Sequence, residues 1–306
     1  MSASGVFEQL TSLRQFQGDG RRAPHKPLLV LLALGQLQAS GSSILSWSVV
    51  EDRLGALLDE FGTSGKAGST SAAYPFTRLR SDLVWQLTRD VPNDSVGPLN
   101  SAPIEGHFTS EIEAELLRSP EVFNAVARSL VESQFPLSMA ADVLCAVGLD
   151  PDSVFASAPT RIAITIRKRD THWRRKIVAA WDRSCAFCGF DGALGGAPVG
   201  IEAAHIRWFN FDGPDDLDNG LALCSLHHKL LDRGAIGLRD PGTIEVSTAF
   251  SAVGEVGRAV YQLHGKELRA RPGTALPATE HVLWHRLEVF KEEPPCGVTG
   301  SGSQIN

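Results

Sequence analysis

The sequence predicts an α+β protein of two domains. A mainly helical N-terminal half with a small sheet precedes a second half of short strands and a helix gathered around cysteine and histidine pairs. Three observations carry this. The chain has 306 residues and 43% hydrophobic content, enough for two cores. Helix-start signals crowd its first 150 residues, with Leu83-Val84-Trp85-Gln86-Leu87 reading as a strand among them. Finally, Cys185-x-x-Cys188, His205, Asn219 and Cys224-x-x-His227-His228 place two ligand pairs around a His-Asn-His series, which packing alone does not explain.

In chain order, Val6 to Phe16 has apolar residues at helical spacing, and a second helix begins near Pro27. Its apolar stretch Leu28 to Leu34 is far short of the ~18 residues of a membrane span and is expected as a core helix. The start of the chain lacks the basic, apolar, cleavable pattern of a signal peptide, so no membrane association is expected. Ser48-Val49-Val50-Glu51 predicts a capping box for a helix reaching Phe61, and Ser110-x-x-Glu113 predicts another. Ser119-Pro120 supplies an N-cap with proline at the first helical position. A helix over Ser138 to Val147 ends at Gly148, a suitable C-cap. Asp150-Pro151-Asp152-Ser153 and Ser157-Ala158-Pro159-Thr160 then interrupt the helical pattern. The expected units are a first domain over 1–155, a basic linker over 156–176, a second domain over 177–295 and a disordered tail over 296–306.

Gly200 to Ile206 reads as a strand, and Asn210 to Asp218, with Gly213, Pro214 and four aspartates, as a loop. Gly220 to Leu231 has leucines at 221, 223, 226, 230 and 231, as a helix packed on one side would. Ala235 to Leu238 and Thr243 to Val246 flank Arg239-Asp240-Pro241-Gly242, a hairpin turn. Cysteine and histidine pairs three residues apart suit tetrahedral zinc, so Cys185, Cys188, Cys224 and His227 are the expected structural zinc ligands. On a helix, His228 is turned about 100° from His227 and points elsewhere. Asp232 either supports a histidine or ends the helix at the surface. Cys145 lies in an apolar helix and is expected in the core, while Cys296 lies in a Gly/Ser-rich tail. Nothing resembles a disulfide framework, which fits a reducing cytoplasm.

The formal net charge of −6 is uneven. Residues 1–156 hold 11 basic and 18 acidic residues, a net −7, and the remainder hold 18 and 17, a net +1. Indiscriminate polyanion binding is therefore not expected, although local clusters still bind phosphate. The clearest cluster contains Arg161, Arg167, Lys168, Arg169, Arg174, Arg175 and Lys176 against Asp170 alone. Such a cluster is expected to touch a phosphate backbone.

The cysteine and histidine arrangement resembles the HNH nucleases, whose ββα-metal fold is in many members stapled by zinc. The resemblance implies His205 as general base, Asn219 as the middle asparagine and His228 as a ligand of a catalytic divalent cation, Mg²⁺ or Mn²⁺. A neutral histidine accepts a water proton near pH 7, and a cation stabilises the leaving 3′-oxygen. Asn219 is expected to brace the loop or orient the base. Many relatives carry a metal-binding Asp or His directly before the base. Here Ala204 stands there, which leaves the second protein ligand unassigned.

Two N-terminal clusters combine cations with proline and aromatic residues: Arg21 to Leu29, and Tyr74-Pro75-Phe76-Thr77-Arg78-Leu79-Arg80. This pairing resembles the sulfur-binding domain of bacterial McrA-like restriction enzymes, over roughly residues 5–150. Sulfur in place of a phosphate oxygen is larger, softer and less hydrated, so a discriminating site offers apolar walls plus cations. The resemblance implies a site with His25, Tyr74 and Pro75 as walls and Arg22, Lys26 and Arg78 as charge, Pro27 beside them and His107 from a second loop. The function implied is a modification-dependent restriction endonuclease, active in bacterial defence, that binds double-stranded phosphorothioated DNA and hydrolyses a nearby phosphodiester. Two-strand cleavage calls for two active sites or sequential nicks, and a homodimer would supply the first. The competing readings are an HNH nuclease for methylated or otherwise modified DNA, and a noncatalytic zinc-containing DNA-binding regulator.

Overall fold

The structure, a computed structural model, describes residues 2–14, 22–63, 69–156 and 171–292. The expectations that fall on Phe16, Arg21, residues 161–170 and the tail with Cys296 lie outside the described residues.

The N-terminal half begins with helices α1 (Ala3–Thr11), α2 (His25–Ser40), α3 (Trp47–Phe61) and α4 (Ser69–Arg78). Strands β1 (Leu45–Ser46), β2 (Trp85–Leu87) and β3 (Glu105–Phe108) form an antiparallel sheet with β3 in the middle. Helices α5 (Val96–Asn100), α6 (Ser110–Arg118), α7 (Pro120–Gln134), α8 (Leu137–Ala146) and α9 (Pro151–Ala156) complete this half. Lys26 to Gly35 of α2 are all buried, because the run has almost no polar face to turn to water, and α3, α4 and α7 enclose it. Gly35 lets the end of α8 approach, since a Cβ there would collide with the Val147 carbonyl.

Local caps differ in detail from the sequence expectations. α3 is capped by Ser46, whose hydroxyl accepts from Val49 N at 3.4 Å, which puts Ser48 inside the first turn. Thr109 precedes α6, and Glu113 is drawn instead to Ser43, accepting from its backbone N at 2.9 Å and from its hydroxyl. Ser119 caps α7 as expected, with Pro120 next. Cys145, expected in the core, is exposed because α8 turns that face outward.

The second half contains α10 (Thr171–Ala180), the small pair β4 (Ala193–Leu194) and β5 (Ala197–Pro198), and the hairpin β6 (Ile201–His205) with β7 (Gly220–Cys224). Then come α11 (Ser225–Asp232), the hairpin β8 (Ile236–Leu238) with β9 (Ile244–Val246), α12 (Glu255–Arg258) and α13 (Thr279–Glu288). The helix expected over Gly220 to Leu231 is therefore two elements. Its first five residues pair antiparallel with β6, from His205 opposite Gly220 to Ile201 opposite Cys224. A buried strand covered on both faces shows no alternation, which is why Leu221-Ala222-Leu223 resembles a helical pattern.

Each half has its own apolar core, and the first also takes in Trp208, Trp284 and Val289 from the second. Arg22 anchors this junction. Its backbone N donates to Glu288 at 3.0 Å, and its guanidinium donates to the carbonyls of Glu288 and Phe61 at 2.8 and 2.7 Å. The same group lies 4.3 Å from the centroid of the Trp208 ring. Burial pulls Arg22 down to about 9, with Glu288 and Asp232 acting against it. Part of the acidic excess of the first half is used here: Asp142 pairs with Lys229 at 3.0 Å and Arg233 at 3.1 Å, and Glu60 also pairs with Arg233. No helix among the described residues is long and apolar enough to cross a membrane.

Candidate active site and metal centre

The candidate metal centre is built from a turn and a helix start. Cys185 and Cys188 lie on a tight turn closed by Gly189 N donating to Cys185 O at 2.8 Å. Ala186 N bonds to Ala222 O, which hangs this turn on β7. Cys224 ends β7 as the N-cap of α11, and His227 follows within the first turn. One donor atom from each of Cys185, Cys188, Cys224 and His227 lies within 4.8 Å of the others. His227 Nδ1 is 3.5 Å from Cys185 Sγ and 3.1 Å from Cys224 Sγ. Metal bonds of ~2.3 Å to sulfur and ~2.0 Å to nitrogen put tetrahedral neighbours about 3.6 Å apart, so this set fits a metal ion. Contact with Cys224 and His227 holds the Cys185 thiol well below its ordinary value, the thiolate character a metal ligand needs.

Beside this centre lies a cavity of about 500 Å³, lined by His205 and Asp215 on one side and Glu202, His228 and Asp232 on the other. His205 ends β6. Its Nε2 is 2.8 Å from Asp215 Oδ1, and its ring stacks on Trp173 of α10 with centroids 3.7 Å apart and planes at 12°. Gly220, opposite His205, permits this stack, because a Cβ there would lie 2.8 Å from Trp173 Cζ2. Asn219 is fully buried. Its side chain accepts from Arg207 N at 2.9 Å and donates to the carbonyls of Arg207 and Pro214 at 3.0 and 2.9 Å, so it braces the loop after His205. His228 is held between two carboxylates, with Nδ1 2.7 Å from Glu202 Oε2 and Nε2 3.2 Å from Asp232 Oδ2. Burial opposes charge on His228, but Asp232 and Glu202 outweigh it and push the ring up to about 10. The bond to His228 draws Glu202 down to about 2.

In the N-terminal half, His25 and Tyr74 meet edge to face with centroids 6.0 Å apart, and the Arg78 guanidinium is 5.5 Å from the Tyr74 ring centroid. Arg78 is partly exposed and paired with Asp94 at 2.5 Å.

Two family models match the chain. Residues 3–152 match the ScoMcrA-like DNA sulfur-binding domain, and residues 185–239 match HNH endonuclease. The chain joins a ScoMcrA-like sulfur-binding domain to an HNH endonuclease domain. Among solved structures, the sulfur binding domain of ScoMcrA complexed with phosphorothioated DNA is similar at 20% identity and a TM-score of 0.41, over 46% of this chain and 97% of that one. The corresponding domain of SprMcrA, also complexed with phosphorothioated DNA, is 20% identical with a TM-score of 0.41, over 49% and 95%. The Type IV phosphorothioation-dependent restriction endonuclease ScoMcrA is 20% identical with a TM-score of 0.41, over 55% of this chain, which spans only 32% of it. At these TM-scores the assignment rests on the family models. No curated protein matches the chain.

Within the sulfur-binding domain, three of the residues expected at the sulfur are engaged inside the protein. Arg22 is consumed by the junction with the HNH domain. Lys26 is buried against Asp82 at 2.5 Å, and Pro27 is buried in the first turn of α2. Pro75 is buried within α4. His107 sits on β3, lining a separate hollow with Ile44, Glu113 and Leu117. In the HNH domain, sequence reasoning does not single out Trp173 or Asp215. A lone tryptophan inside the basic run is a usable signal for the first. Nothing separates Asp215 from the other aspartates of its loop until the loop is folded.

Proposed function

We propose that the protein is a modification-dependent endonuclease that binds double-stranded DNA carrying phosphorothioate linkages and hydrolyses a nearby phosphodiester. The single observation that carries this is the union, in one chain, of a sulfur-binding domain match with an HNH domain whose His205 and His228 line one cavity. Recognition is assigned to the His25, Tyr74 and Arg78 group, where aromatic surface suits a soft, weakly hydrated sulfur and the guanidinium suits the remaining charge. Cys185, Cys188, Cys224 and His227 would hold a structural Zn²⁺, the ion that favours a mixed thiolate and imidazole set.

In the reaction, His205 acts as general base. Asp215 accepts its Nε2 proton, so the neutral ring is an acceptor at Nδ1, and the carboxylate offsets the charge that develops when a water proton arrives. Trp173 keeps the imidazole plane fixed, and Asn219 keeps the loop bearing Asp215 folded back. A divalent cation, Mg²⁺ or Mn²⁺, held by His228 would stabilise charge on the phosphate and the leaving 3′-oxygen. No disulfide joins the described cysteines, which fits the reducing cytoplasm.

The test incubates matched phosphorothioated and unmodified plasmids with the protein and Mg²⁺ or Mn²⁺, with His205→Ala as control. Cutting of the sulfur-containing plasmid alone, lost in the variant, is expected. Equal cutting of both keeps the nuclease and removes sulfur specificity. Cutting that follows methylation instead identifies a different mark.

A further inference from the structure

The cavity holds more carboxylate than the assigned roles use. Glu202 stands on β6 opposite Leu223 and reaches across to α11, where Oε2 meets His228 Nδ1 at 2.7 Å and Oε1 accepts from Ser225 Oγ at 2.7 Å. On the other side of the same ring, Asp232 meets Nε2 at 3.2 Å. The two carboxylates differ in access. The Asp232 side chain is 2% exposed and is closed from behind by the Ser138 hydroxyl, whereas that of Glu202 is 38% exposed at the cavity.

An imidazole that binds a metal through one nitrogen usually donates its other N–H to a carboxylate or carbonyl, which fixes the tautomer and the ring plane. Asp232 has the position of that acceptor, because it is buried and already hydrogen-bonded by Ser138. Nδ1 is then the ligating atom, and Glu202 is the oxygen donor beside it. Ala204 offers no alternative, because its methyl side chain carries no donor atom. One carboxylate and one imidazole leave most of the coordination shell to water and phosphate, as suits Mg²⁺ or Mn²⁺.

We infer that Glu202 is the second protein ligand of the catalytic divalent cation, binding with His228 Nδ1, while Asp232 positions His228 from behind. This rests on the proposed reading of the cavity as the nuclease centre. The test titrates full-length, zinc-replete protein with Mn²⁺ and reads free Mn²⁺ by electron paramagnetic resonance, for the parent, Glu202→Gln and His228→Asn. Zinc content and far-UV circular dichroism show that each variant is folded. The parent is expected to bind one Mn²⁺, with Glu202→Gln at least about tenfold weaker and His228→Asn weaker still. Unchanged affinity in Glu202→Gln, with loss in His228→Asn, overturns the assignment of Glu202 and leaves the nuclease reading standing. A parent that binds no Mn²⁺ beyond its zinc overturns both.

Discussion

The Ser138 hydroxyl, at the start of α8 in the sulfur-binding domain, donates to Asp232, the buried carboxylate of the HNH domain that contacts His228 Nε2. The two domains thus meet within one hydrogen bond of the proposed nuclease centre, where Pro136 and Leu137 also line the cavity. Ser138→Ala removes this bond without emptying the interface. Without that support, kcat for DNA cleavage is expected to fall about tenfold, with KM nearly unchanged. Steady-state cleavage of a phosphorothioated duplex checks it, and an equal fall in binding would show instead that the hydrogen bond serves docking.

The Cys/His centre makes a prediction about ligand chemistry. His227→Cys converts three thiolates and an imidazole into four thiolates, still a suitable zinc set, and is expected to retain about one zinc per chain. His227→Ala is expected to lose the ion and, with it, the order of the β6–β7–α11 unit. Metal analysis with near-UV circular dichroism separates these outcomes. Retention of zinc by His227→Ala would remove His227 from the ligand set.

How much of the molecule is legible in its sequence follows from the kind of interaction each residue makes. Cysteine and histidine spacing is local, so the Cys/His group can be read directly, and so can the Ser119-Pro120 helix start. β7 reads as helix because a strand buried on both faces has no period of two to display. Arg22 resembles a DNA-binding residue because it lies in a cationic run. Its partner Glu288 is 266 residues away, and nothing local announces such a pairing. Lys26 is the same case at shorter range, claimed by Asp82. Isolated cations beside proline and aromatic residues therefore mark both ligand sites and domain junctions, and only the fold separates the two.

Acid should loosen the junction through His285. This ring is buried in α13 beside the Leu231 carbonyl, 2.9 Å from Nε2, and burial pulls it down to about 4. Its folded value lies below its unfolded one, so the unfolded chain binds the extra proton and stability falls as pH drops from about 6.5 toward 4. Between pH 7 and pH 5 the loss from this group is about 2 kcal/mol. Urea unfolding at both pH values is expected to show it, with a smaller difference in His285→Gln. An identical pH dependence in the variant would assign the effect to other groups.

A second hollow, of about 470 Å³, adjoins the cavity and is lined by the exposed Arg174, Arg175 and Arg183. Guanidinium groups that meet only DNA phosphate add affinity without sequence information. Arg175→Ala with Arg183→Ala is expected to weaken binding to modified and unmodified duplexes alike. The slope of log K against log salt should fall by about 0.9 for each phosphate left without its guanidinium. Fluorescence anisotropy across a salt series is the measurement, and a selective loss on modified DNA would move the sulfur site here.

The last contrast separates packing from recognition inside the sulfur-binding domain. Lys26 is buried against Asp82, and breaking a buried ion pair by removing one partner costs about 3–5 kcal/mol. Lys26→Met is therefore expected to lower stability markedly, while the protein that remains folded still prefers phosphorothioated DNA. Tyr74 lies half-buried between His25 and Arg78, and Tyr74→Ala removes the aromatic surface proposed to meet sulfur. Preference for the modified duplex is expected to fall about tenfold, or ~1.4 kcal/mol, with a smaller change in affinity for unmodified DNA. Parallel denaturation and competition binding on both variants decide the matter. If Lys26→Met abolishes preference while leaving stability intact, the buried cation reaches the DNA after all, and α2 must open to let it.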